Sequence, residues 1–169
     1  MRKVLVAGVG NIFLGDDAFG VEVAARMAGT PLPEGVELVD FGIRGVHLAY
    51  QLLDGYDVLV LIDAAPRGQP PGTVSLLEVD QSEIEDAAAA IQGGESPLVD
   101  AHGLEPGAIL KMLGSLGGRV SRVLVVACEP ESVAEGLGLS DPVTAAIPRA
   151  IALVEKVMHT EYPTKEVSK

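Results

Sequence analysis

The chain has no tryptophan, a single cysteine, three histidines and only 4% aromatic residues among its 169 positions. With so few rings, a core has to be built mainly from Val, Leu, Ile and Ala. One cysteine, Cys128, excludes an intramolecular disulfide and any metal cluster held by cysteines alone, which fits a reducing cytoplasm. Basic residues are scarce too: 12 Lys and Arg against 24 Asp and Glu leave a net charge of −12. Such a balance speaks against a nucleic-acid partner and against an anionic membrane surface. No uninterrupted apolar run approaches the ~20 residues of a membrane helix. Met1-Arg2-Lys3 followed by apolar residues superficially resembles a secretory leader, but glycines, Asn11 and two Asp soon interrupt it and no small-residue cleavage pattern follows. A cytoplasmic protein without membrane insertion is expected.

Several catalytic signatures are also missing. No G-x-S-x-G elbow and no H-E-x-x-H helix is present. The glycine-rich stretch Gly8 to Gly15 fails the dinucleotide fingerprint, because Phe13 stands three positions after Gly10. It also lacks the Gly-Lys-Ser/Thr of a phosphate loop, and the adjacent Asp16 and Asp17 would repel a phosphate. A loop of this kind presents an acid better than it cradles an anion. Either Asp could cap the helix that follows, a common use of Asp, leaving the other for chemistry.

What is present is a mean hydropathy of +0.34 and a length suited to one domain with a real core. Val4-Leu5-Val6-Ala7 reads as a buried strand, followed by a helix from Val21 to Met27. Val36 to Val39 predicts a second strand closing at Asp40-Phe41-Gly42, and Leu48 to Leu53 a short helix stopped at Asp54-Gly55. Val58 to Ile62 is a continuous apolar run that stops on Asp63. After the turn Pro66 to Gly72, Thr73 to Val79 predicts a strand that reverses direction and pairs antiparallel. Ser82-Glu83-Ile84-Glu85 has the capping-box pattern of a helix to about Ile91, and Gly93 to His102 reads as loop. Pro106 fits the first turn of another helix, Val123 to Ala127 a last buried strand, and Ser140-Asp141-Pro142 the cap of a final helix to about Met158, bent at Pro148. Strands alternating with helices predict a three-layer α/β domain over 1–159 with a mostly parallel sheet, and a polar, frayed tail over 160–169. The order of the strands does not follow from this pattern.

Asp17, Asp40, Asp63 and Cys128 then fall at or just beyond the carboxyl ends of strands, the edge where open α/β sheets form ligand crevices. An apolar run that ends on Asp63 must expose or pair that carboxylate, because a lone buried one is too costly. A turn acid after a strand would satisfy the same condition. His102, in the loop sequence Leu98 to Leu104, would complete with Asp17 and Asp63 a set of two carboxylates and an imidazole, suited to a borderline divalent metal such as nickel or zinc. A loop histidine is as easily a surface residue. His47 falls near a predicted helix and His159 near the carboxyl end, so both read as bystanders, and Cys128 reads as a small buried filler.

Gly8-Val9-Gly10-Asn11-Ile12-Phe13-Leu14-Gly15-Asp16-Asp17 resembles the amino-terminal signature of the hydrogenase maturation endopeptidases. The likeness continues in order through Asp40 to Gly45, Leu61-Ile62-Asp63-Ala64, the loop of His102, and Cys128-Glu129-Pro130, to about Val154. It implies a five-stranded mixed, twisted sheet with helices on both faces. It also implies an activity, removal of a carboxy-terminal extension from the large-subunit precursor of a nickel–iron hydrogenase after nickel insertion. The family's metal-contacting positions match Asp17, Asp63 and His102. On this resemblance nickel arrives with the substrate, and another divalent metal can take its place in the isolated protein. Ala18 replaces the Gly of many relatives, and Asp17 the Glu of others. The residues alone leave open a non-catalytic nickel-binding or scaffold protein in metallocentre assembly; a nucleotide-binding protein is disfavoured by the failed fingerprints.

Overall fold

A computed structural model describes residues 2–82 and 106–161. Five strands, β1 Val4–Val9, β2 Val36–Gly42, β3 Val58–Ala64, β4 Val74–Glu78 and β5 Arg122–Cys128, form one sheet in the order β2-β1-β3-β5-β4. β1, β2, β3 and β5 run parallel; β4 pairs antiparallel with β5, so the sheet is mixed as expected. The helices are α1 Phe19–Met27, α2 Gly45–Leu52, α3 Pro106–Ser115 and α4 Asp141–Glu161, and a 3-10 turn, Gly15–Ala18, precedes α1.

The apolar runs become the central strands because both of their faces are covered. Side chains alternate across the sheet. Val4, Val6, Val58, Val60, Ile62, Leu124 and Val126 pack with Phe19, Val23 and Met27 of α1 and Ala146, Ile147 and Val154 of α4. Leu5, Ala7, Leu59, Leu61, Val123 and Val125 pack on the other face with Leu48 and Leu52 of α2 and Ile109 and Leu113 of α3. The result is three layers. No helix among the described residues is long and apolar enough to cross a membrane.

Three elements and one helix cap depart from the sequence expectation. α2 opens at Gly45, three residues before Leu48, with the Leu48 N–H donating to the Arg44 carbonyl. β2 does not stop at Val39: it runs through Asp40 to Gly42, with a register shift against β1 that leaves Phe41 as a bulged, buried residue. α4 continues through Pro148 and past Met158 to Glu161, so 160 and 161 belong to the helix rather than to a tail. Ser140 donates its hydroxyl not to its own helix but to Asp16, 124 residues away in sequence. The expected helix to Ile91 past residue 82, the loop to His102 and the remainder of the tail lie outside the described residues.

α1 lies unusually close to the strands. A Cβ at Gly20 would stand 1.9 Å from the Ile62 carbonyl oxygen and 2.4 Å from that of Val9. Only glycine allows the amino end of α1 to rest on the carboxyl ends of both β1 and β3. That contact places the 3-10 turn at the point where the chain's connections leave β1 and β3 in opposite directions, the crevice position of doubly wound sheets.

Candidate active site

The site grows from the end of β1. Gly10 adopts φ of +142°, and a Cβ there would stand 1.8 Å from the Asp17 carbonyl oxygen. The loop therefore folds back on itself at glycine. The Asn11 side chain accepts from the Phe13 N–H at 2.9 Å, and the Asn11 N–H donates to Asp17 Oδ2 at 2.9 Å. The half-buried Asp17 carboxylate is thus held at the mouth of the β1 loop, with its position set by backbone.

Asp16 has a different task. It is buried, and it accepts from the N–H groups of Glu131 (2.8 Å), Ser132 (3.2 Å) and Ser140 (2.7 Å) and from the Ser140 hydroxyl (2.8 Å). Neither the 3-10 turn nor α1 has a side-chain cap, so the expectation that one of the paired acids caps the helix is corrected. Asp16 is a pin between the β1 loop and the segment that follows β5. Burial pushes its carboxyl up, but the Ser140, Ser132 and Glu131 donors outweigh burial and hold it below its ordinary 3.8. Asp16→Ala is expected to cost about 2–4 kcal/mol in urea unfolding at pH 7, since it strands several donors at once. Because the folded-state value is depressed, this stabilisation is present above 3.8 and is lost as pH falls through the folded value. The gap between wild type and variant should therefore narrow in unfolding curves recorded below that pH.

Asp63 stands in β3 opposite Ala127 of β5, half-buried, one residue after the Ile62 carbonyl on which Gly20 rests. The 3-10 turn carrying Asp17 packs against β3. The structure thus brings Asp17 and Asp63 to neighbouring segments of one edge. His102 lies outside the described residues, and among the described residues no group of three His, Cys, Asp or Glu is placed to hold a metal. His47 is exposed on α2. His159 is exposed in the last turn of α4, near Glu161, which is ion-paired to Arg2 and Arg122 at the opposite, amino edge of the sheet. His159 therefore lies at the edge opposite the acids, whereas His47 stands in the first turn of α2, just beyond the carboxyl end of β2.

Asp40 is exposed at the end of β2, where Oδ1 accepts from the Gly42 N–H, and Arg44 donates to the carbonyls of Asp40 and Phe41. It shapes the β2 turn. Glu129, a buried acid that sequence reasoning did not single out by itself, accepts from the N–H groups of Arg67 (2.7 Å) and Gly68 (3.2 Å) and so fixes the loop leaving Asp63. Its signal was the one that marked Asp63: an acid at the end of an apolar strand.

Cys128 is fully buried, and burial, reinforced by the Asp16 carboxylate, pushes its thiol up to about 11. A thiol so placed is almost entirely protonated at neutral pH and cannot serve as a nucleophile. Native protein is expected to resist a disulfide-exchange reagent at pH 7.5, with one thiol titrating only in denaturant; rapid native labelling would show that the strand end opens.

The 2-1-3-5-4 sheet has counterparts among known proteins. The sequence profile of the hydrogenase maturation proteases matches residues 21–157. The chain belongs to the hydrogenase maturation protease family. A putative hydrogenase maturation protease of Methanocaldococcus jannaschii is 28% identical over 157 residues, spanning 90% of this chain and 94% of that protein. The hydrogenase 2 maturation protease of Escherichia coli is 31% identical over 154 residues, spanning 90% and 88%. The solved structure of the E. coli hydrogenase maturating endopeptidase HybD superposes with a TM-score of 0.74 at 30% identity, covering 96% of this chain and 94% of that one. The chain is accordingly a peptidase of hydrogenase maturation, with the α/β fold of its relatives.

Proposed function

We propose that this protein removes the carboxy-terminal extension of a nickel–iron hydrogenase large-subunit precursor after nickel has been inserted, and that Asp17, Asp63 and His102 engage the nickel the precursor carries. The observation that supports the reading is that Asp17 and Asp63 lie on neighbouring segments of the β1/β3 edge in a peptidase-family chain whose one thiol is buried and protonated. Two carboxylate oxygens and an imidazole nitrogen suit a borderline divalent ion. The placement of α3 supports the third ligand. This helix, about 15 Å long at 1.5 Å per residue, is followed by residues 116–121 and then by the start of β5 at the amino edge. Its amino end at Pro106, four positions after His102, therefore lies toward the edge that holds the acids.

In this reading nickel is part of the substrate and serves for recognition: only a loaded precursor presents an ion for the three side chains to grip, and gripping it sets the scissile peptide beside Asp17 and Asp63. Water then adds to the peptide carbonyl, and the amine leaves with a proton. His102→Ala tests the reading. Cleavage of the loaded precursor should fall by about a hundredfold or more with the circular-dichroism melting curve unchanged; undiminished cleavage removes His102 from the site.

A further inference from the structure

Beside the acids the surface turns apolar, and it does so on backbone that is firmly held. The Phe13 carbonyl accepts from the Gly136 N–H at 2.8 Å, the Gly15 N–H donates to the Gly136 carbonyl at 2.9 Å, and Asp16 ties both loops together from below. On this base Ile12, Phe13 and Leu137 are 45%, 61% and 76% exposed. A rigid loop pair that presents three large apolar side chains to water stabilises nothing by doing so; neighbouring exposed apolar groups of this kind mark a contact surface. Ile12, Ala18, Leu137 and Leu139 line a groove of about 390 Å³, to which α1 contributes Glu22 and Arg26. Ala18 directly follows Asp17, so the groove opens one residue from the proposed nickel-engaging carboxylate.

We infer that this groove is the docking subsite for an aliphatic side chain of the hydrogenase precursor lying a few residues from the scissile bond. The inference rests on the proposed function, which brings the precursor to Asp17. An extended chain advances about 3.3 Å per residue, and Ala18 in the groove wall adjoins Asp17 in the chain, so a side chain a few residues from a nickel held at Asp17 is within reach of the groove. The volume suits one or two side chains, not the face of a helix. A second copy of this chain seated here would cover the edge that the precursor must enter. The two loops are already joined in the free protein, so ordering them costs the complex little.

The test is the affinity of the nickel-loaded large-subunit precursor for the wild-type protein, for Ile12→Ser/Leu137→Ser, and for Leu76→Ser. Leu76 is 45% exposed on β4, the far strand of the sheet. The double variant should bind at least about tenfold more weakly, and raise KM by a similar factor with kcat little changed; Leu76→Ser should match the wild type. Leu137→Gln alone, at the most exposed of the three positions, carries the same expectation in smaller degree and guards against a folding defect in the double variant. Binding within twofold of wild type for both groove variants overturns the subsite. So does an unchanged affinity accompanied by conversion of a dimer to a monomer in sedimentation, which would assign the groove to a second copy. Because affinity is read without cleavage, a wild-type protein that binds the precursor through the groove but leaves its mass unchanged refutes the endopeptidase reading and retains the subsite.

Discussion

Asp63→Ala is expected to lower cleavage of the nickel-loaded precursor by about 10²–10⁴-fold while the protein remains folded. The size of the effect follows from what the substitution removes. Asp63 keeps its place through backbone pairing with β5, opposite Ala127, and its neighbours Leu61 and Ile62 anchor the strand in both cores. Alanine leaves that framework and deletes the carboxylate at the crevice together with the interaction it makes. A positioned charged group acting on the reacting centre contributes on this scale. The side chain is half-buried and has an interaction of its own to lose, so the cost in stability should be about 1–3 kcal/mol, too little to unfold the domain. Asp17→Ala should show a similar loss, and the double variant should be little worse than either single one, as expected of groups that grip one ion together. Independent, multiplying losses would mean that the two acids serve separate steps.

Gly20→Val should be strongly destabilising although it lies outside the strands. The new Cβ would meet the carbonyl oxygens of Ile62 and Val9, and both belong to ladders that cannot yield. The contact is tight from the other side as well, since a Cβ at Gly8 would stand 2.5 Å from the Gly20 carbonyl oxygen. The helix has to lift, opening the packing of Phe19 and Val23 against the sheet. A cost of about 3 kcal/mol or more is expected. For a domain of this size that corresponds to roughly 6–12 °C in melting temperature. Any folded fraction should also cleave poorly, because the 3-10 turn that carries Asp17 moves with the helix. Thermal unfolding followed at 222 nm checks the first expectation; a change within 0.5 kcal/mol would show that α1 has slack.

The parts of the fold that were legible in the sequence are those decided locally. β1, β3 and β5 announce themselves as apolar runs because both faces of each are covered, and β4 reverses direction because a turn of Pro and Gly precedes it. Asp17 and Asp63 could be placed at the same edge because parallel strands share their carboxyl ends. What was not legible depends on distant partners. The role of Asp16 is set by Glu131, Ser132 and Ser140, and nothing in Gly15-Asp16-Asp17 reveals which acid turns inward toward them. The start of α2 at Gly45 was hidden because glycine disfavours helix, yet Gly45 is buried as the first residue of α2. The continuation of β2 through Asp40 depends on the bulge at Phe41, a property of its pairing with β1 rather than of its own residues. Strand order is likewise a matter of crossover, and no periodicity encodes it.

The most direct test of the account is the intact mass of a large-subunit precursor before and after incubation with this protein, run in parallel on nickel-loaded and nickel-free forms. Loss of a carboxy-terminal peptide from the loaded form alone is the predicted result. Cleavage of both forms alike would contradict nickel recognition by Asp17, Asp63 and His102; an unchanged mass of an authentic loaded precursor, with nickel bound tightly by this protein alone, would contradict the endopeptidase reading and favour a metal carrier.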